Sequence, residues 1–240
     1  MLVIPQAERL RLVTQPDHAG LASELLALWR TGGFPKHPRR AELLVAVREH
    51  DNGWREADAA PRLDPRGGPL DFREAPDGLR REIWLRAVER LAADRPYAAL
   101  LTAQHALTLH RDRNGREDWA ETLGTLEASR SELLERTGLA AGELEEDYRW
   151  LFVADALSLA LCGALDRVEE GGLRALRTAD GLSLDPFPLA GATTFRLPCR
   201  HVPDRSYAGE RDLASDLGAA RWEEIPVRLT PLAPSPGGSP

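Results

Sequence analysis

Between Pro16 and Trp29 the apolar residues Leu21, Leu25, Leu28 and Trp29 recur on one helical face, and Pro16 and Asp17 suit a helix start. The stretch "RRAELLVAVREH", 39–50, predicts a second helix, which Gly53 ends. Four more helices are expected at about 78–93, 96–112, 117–136 and 141–166. The last one differs from the others. From Trp150 to Leu165 it is apolar nearly all round, which predicts a central helix. Residues 2–4 and 10–14 look like two short strands around a polar turn. After Gly171-Gly172 the pattern changes to Pro-rich, strand-like pieces, "LSLDPFPLAG", "TTFRLPCRHV" and "EEIPVRLTPL", with a short helix near 209–220.

These elements predict a mainly α chain of about six helices with a small β-sheet appendage built from its N- and C-terminal ends. The expected division is N-terminal strands over 1–15, a helical domain over 16–170, a strand-rich module over 171–232 and a disordered tail, "APSPGGSP", over 233–240. Residues 53–77 have no regular period. A loop that long inside a domain tends to be functional or disordered, and Trp54 and Phe72 favour a packed one.

Composition narrows the function classes. Hydrophobic content of 42% and charged content of 29% are ordinary for a soluble globular protein. A formal charge of −7 gives no electrostatic reason to expect nucleic acid or an acidic membrane as partner. Lys36 is the only lysine, so the cationic chemistry is that of arginine. Cys162 and Cys199 form no C-x-x-C pair, and Cys162 reads as a small core residue. No apolar run is long enough to span a membrane, and the N-terminal apolar stretch is too short for a signal peptide, so a cytoplasmic location is expected.

The candidate chemistry comes from polar residues in apolar settings. Asp155 sits in the middle of the most apolar helix, with no Arg or Lys at positions 151, 152, 158 or 159 to pair with it. A buried carboxylate must be protonated, paired with a cation or bound to a metal. His105 lies among Ala98, Leu101, Ala106 and Leu109. His18 opens the first helix, and the adjacent His50 and Asp51 close the second. Imidazole and carboxylate together suit a divalent ion such as Mn, Fe, Co, Ni or Zn. A helix end at Asn52-Gly53 would let His50 and Asp51 turn to one side and share that ion. His37, His110 and His201 are read as ordinary structural or surface histidines.

The order His18, His50-Asp51, Asp155 on successive helices resembles the HD-domain superfamily of metal-dependent phosphohydrolases, with His105 in the place of an additional metal-binding His. The segments "QPDHAGLASELLALW", "HDNGWREAD", "GGPLDF", "YAALLTAQHALTL" and "LFVADALSLALCG" also resemble an uncharacterised bacterial family, named only as a domain of unknown function, from about Met1 to Pro231. The HD resemblance implies an HD-like helical bundle and hydrolysis of a small phosphorylated substrate. Asp51 would bind metal and orient water, and His105 would bind a second ion or act as general acid. The 53–77 loop would lie over the site, bringing Arg55, Arg62, Arg66 and Arg73 toward phosphate, with Arg55 and Arg73 the leading substrate contacts and Asp58 and Asp71 holding arginines or water. Two other readings stand beside this one: a di-iron oxygenase of the HD type, and a non-catalytic metal-binding or small-molecule-sensing protein.

Overall fold

In a computed structural model that describes residues 1–233, the chain begins with a hairpin, β1 (Leu2–Gln6) and β2 (Arg9–Val13). The tail expected over 233–240 lies, from residue 234, outside the described residues. Seven helices follow: α1 (Gln15–Ala27), α2 (Arg40–Glu49), α3 (Arg55–Ala59), α4 (Asp77–Ala92), α5 (Pro96–Leu109), α6 (Glu117–Thr137) and α7 (Ala141–Cys162). The second half supplies β3 (Arg167–Glu170), β4 (Leu173–Arg177), β5 (Gly181–Asp185), β6 (Thr193–Pro203), α8 (Glu210–Ala219) and β7 (Glu223–Pro231).

All seven strands join one mixed sheet in the order β1-β2-β6-β7-β5-β4-β3. β2 pairs antiparallel with β6, with Leu12 opposite Arg200, and β5 pairs parallel with β7. The expected mainly α, HD-like bundle of about six helices with a small sheet appendage is therefore corrected to an α/β fold. The physical reason lies in strands that the sequence does not announce. β3 (RVEE) and β4 (LRALR) are short and rich in charge, so neither reads as a strand. With them the sheet, in which β2 and β6 join the two ends of the chain, reaches seven strands.

One apolar core runs from the helices into the sheet. Leu25 of α1, Leu101 of α5 and Leu157 of α7 belong to the same buried cluster as Leu184 of β5, Leu197 of β6 and Leu229 of β7. α7 is the central helix that its composition predicts, with Leu151, Ala154, Asp155, Leu157 and Ser158 all buried. Its C-terminus is held by arginines. Arg11 of β2 donates to Cys162 O (2.7 Å), Arg177 of β4 donates to Gly163 O (2.9 Å), and Arg73 donates to Ala164 O (3.2 Å). These bonds satisfy carbonyls that a helix end leaves open. They also fix the helix that carries Asp155 against the sheet.

Candidate metal centre

The junction after α2 sets the first half of the site. α2 ends at Glu49, and Asn52–Trp54 forms a single 3₁₀ turn. Asn52 caps the helix by donating to Glu49 O (2.8 Å) and also donates to Ala87 O of α4 (3.1 Å). The sequence assigns Gly53 the role of a helix stop. It is not among the positive-φ glycines. Its requirement is space, because a Cβ there would lie 2.2 Å from Ile83 O and 3.0 Å from Ala87 Cβ. The Asn52-Gly53 pair therefore clamps the turn to α4, with His50 and Asp51 immediately before it.

The structure brings together all five predicted ligands. His18 comes from α1, His50 and Asp51 from the junction, His105 from α5 and Asp155 from α7, and all five are buried. His18 Nε2 lies 2.9 Å from Asp51 Oδ2. His50 Nε2 lies 3.4 Å from Asp155 Oδ1 and 3.6 Å from Asp51 Oδ2. His105 Nε2 lies 3.8 Å from Asp155 Oδ2. The donor atoms of His18, His50 and Asp51 form one compact group, and those of His50, His105 and Asp155 form a second.

Outer contacts decide which ring nitrogens face inward. His50 Nδ1–H donates to Val47 O (2.7 Å), which leaves Nε2 as the lone-pair nitrogen. That atom is buried and has no hydrogen-bond partner among the described residues, so its approaches to Asp51 and Asp155 are proximity without alignment. Ser158 donates its hydroxyl to Asp155 O (2.8 Å), so its oxygen accepts from His18 Nδ1–H at 2.9 Å. His18 Nε2 then faces Asp51 Oδ2 at hydrogen-bonding distance, 2.9 Å. Such an outer bond is how proteins fix the tautomer of a metal-binding imidazole. His105 Nδ1 is 3.1 Å from the Tyr148 hydroxyl.

This arrangement passes a direct test of fit. Ligand bonds near 2.0–2.2 Å place neighbouring donors about 2.8–3.6 Å apart around an octahedral or tetrahedral ion. Three of the observed separations, 2.9, 3.4 and 3.6 Å, fall in that range and the fourth, 3.8 Å, lies just outside it, with ring nitrogens facing carboxylates as a cation site requires. Without an ion, only a proton can fill that role. Burial disfavours a charged His50 ring, but Asp51 and Asp155 beside it raise its pKa to about 9. Burial likewise works against a charged Asp155, yet the His50 contact holds it below the usual carboxylate range. His105 behaves differently, since burial lowers its pKa to about 4 and leaves the ring neutral at pH 7.

Asp51, His18, His105 and Asp155 line a cavity of about 290 Å³. Its other walls include Trp54, Phe72 and Trp84 with Arg73 and Arg80. Arg73 thus reaches the cavity, where Asp71 grips it through Nε (2.7 Å) and Nη2 (3.0 Å). Arg55 does not. Glu49 captures its guanidinium at 2.6 Å on the outer surface. Arg66 pairs with Asp64 and Glu74, and neither it nor Arg62 lines this cavity. Asp58 holds no arginine; its carboxylate pairs with the Met1 ammonium (2.6 Å) and accepts from Gln15 N (2.6 Å). The 53–77 segment contains α3 and a 3₁₀ turn at Phe72–Glu74, so it is more ordered than its composition suggests.

Sequence reasoning missed Gln15, Arg80, Trp84 and Ser158. Ser158 was findable, because it stands three residues after Asp155 on the same helical face. Gln15 stands three residues before His18 in the same way. Arg80 carries no such signal. It reaches the site by donating to the Ala75, Phe72 and Arg73 carbonyls (2.8, 3.0 and 2.7 Å), which shapes the cavity wall. His110 accepts from Trp84 Nε1 (2.8 Å) and is outside both ligand groups.

A family described as "Protein of unknown function (DUF3891)" matches residues 1–204, and the chain belongs to that family. The description assigns no activity and does not name the HD superfamily. No curated protein and no solved structure matches the chain. No helix among the described residues is long and apolar enough to cross a membrane.

Proposed function

We propose that the buried cluster binds one divalent ion and that the cavity beside it hydrolyses a small phosphate ester. The observation that carries this reading is His50 Nε2, a buried ring nitrogen without a hydrogen-bond partner among the described residues, set between two carboxylates. His50 would hold the ion together with ligands drawn from the two groups it joins, His18 and Asp51 in one and His105 and Asp155 in the other. When bound, such an ion lowers the pKa of a water ligand toward neutrality and polarises a phosphoryl oxygen.

One ion is favoured over two. The two ligand groups share His50, and its Nδ1 is already committed to Val47 O, so its single lone pair serves one metal. This argues against the di-iron reading. Asp51 faces both the cluster and the cavity, so it is placed to bind metal and to accept a proton from attacking water. His105, held neutral, suits a ligand better than a general acid. Arg73, fixed by Asp71, presents a positive charge to the same cavity for phosphate.

A second reading rests on the raised His50 pKa. The cluster can close around an imidazolium, which would make it a structural ion pair in a non-catalytic or sensing protein. Turnover of p-nitrophenyl phosphate with added Mn²⁺ separates the two. Activity abolished by Asp51→Ala supports hydrolysis. A metal-loaded wild type with no turnover of any phosphomonoester in a broad panel would overturn it.

A further inference from the structure

Gln15 is the first residue of α1 and is 1% exposed. Its main chain is fixed, because its N–H donates to Asp58 Oδ2 at 2.6 Å. Its side chain is not. Oε1 is enclosed and has no hydrogen-bond partner among the described residues, although Gln15 lines the same cavity as His18, Asp51 and Arg73. As the amide stands, neither polar atom of the side chain makes a hydrogen bond among the described residues. Buried amides are almost always paired, so an open one in the wall of a cavity points to a group that arrives with a ligand.

The rest of the cavity restricts that ligand. Arg73 and Arg80 supply positive charge, Phe72 and Trp84 supply flat apolar walls, and about 290 Å³ lies at the small end of ligand pockets. We infer that Gln15 is a specificity residue, reading a hydroxyl or amide on the organic part of a small phosphate ester whose phosphate lies toward Arg73. This inference rests on the function proposed above and adds the substrate class to it. Sites that hydrogen-bond a substrate hydroxyl reject the analogue lacking it far more strongly than apolar pockets reject an added group.

The test is a pair of calorimetric titrations of the full chain, with and without Mn²⁺, using glycerol 1-phosphate and n-propyl phosphate. The wild type should bind the hydroxylated ester about tenfold or more tightly. Gln15→Met keeps the side-chain length and removes its hydrogen bonding. It should erase that preference by lowering the affinity for glycerol 1-phosphate to that for n-propyl phosphate. Gln15→Ala serves by the same criterion should the Met variant not fold. Equal binding of the two esters by wild type, a preference that survives in the variants, or no binding of either ester would overturn the inference. Hydrolysis is not read in this experiment. Absent turnover therefore counts against the proposed reaction, and a missing preference counts against Gln15.

Discussion

His50 Nε2 lies 3.4 Å from Asp155 Oδ1, inside a buried cluster, and no hydrogen bond joins them. The two residues stand on elements that the chain separates by about a hundred positions. Their approach is set by outer contacts: Val47 O turns the imidazole, and the arginines at the end of α7 hold the helix that carries the carboxylate. The cluster's behaviour should therefore depend on residues that touch no ion.

Ser158 is the first such residue. Its oxygen accepts from His18 Nδ1–H and so keeps Nε2 facing inward. Ser158→Ala should weaken Mn²⁺ binding by about 10- to 100-fold, the usual effect of removing an outer partner, with helical content by circular dichroism unchanged. Unaltered affinity would show that His18 is not a ligand oriented in this way.

Gly53 is the second. A methyl group there would collide with Ile83 O. Gly53→Ala should destabilise the protein by about 1–3 kcal/mol, a fall of several degrees in Tm for a chain of this size. A thermal melt at the wild-type temperature would mean that the His50-Asp51 turn is not clamped to α4.

Arg73 and Arg55 make a matched pair, because the sequence treats them alike and the structure does not. With a phosphomonoester substrate, Arg73→Ala should raise KM about 10- to 100-fold, the cost of losing a charged hydrogen bond. Arg55→Ala, at a surface pair with Glu49, should leave kinetics within twofold of wild type. Equal effects from the two variants would remove Arg73 from the site.

The acid limb of stability should report His110. Burial first, and then Arg80 and Arg113, push its pKa down to about 4, and as the neutral ring it accepts from Trp84. A histidine with a depressed folded pKa contributes stability that is complete above its unfolded pKa, about 6.5. Below that value the unfolded chain takes up the proton first. Stability should then fall by at most about 1.4 kcal/mol per pH unit from this group between pH 6.5 and 4. Urea midpoints measured across that window should decline, and His110→Phe should flatten the decline. A variant as acid-sensitive as wild type would assign the loss to other groups.

Much of the candidate site was legible because burial of charge leaves a mark in sequence. Asp155 in an apolar helix with no cation one turn away announced a partner from elsewhere, and His18, His50, Asp51 and His105 are gathered around it. The fold was less legible. Helix positions follow a local period, but β3 and β4 are short and rich in charge and carry no strand pattern, so the size of the sheet was hidden. Arg55 and Arg73 sit in one irregular segment, and only the local partners Glu49 and Asp71 send one outward and the other to the cavity. Arg80 acts through backbone carbonyls, which leave no trace in residue type.

The central claim is that a buried group of side chains around His50 closes on one ion. Stripping the protein of metal and titrating it with Mn²⁺, with ions counted by mass spectrometry after gel filtration, tests this most directly. The account predicts one tightly held ion per chain, lost in both His50→Ala and Asp155→Ala. A wild-type protein that retains no ion, or variants that hold it as well as wild type does, would contradict it.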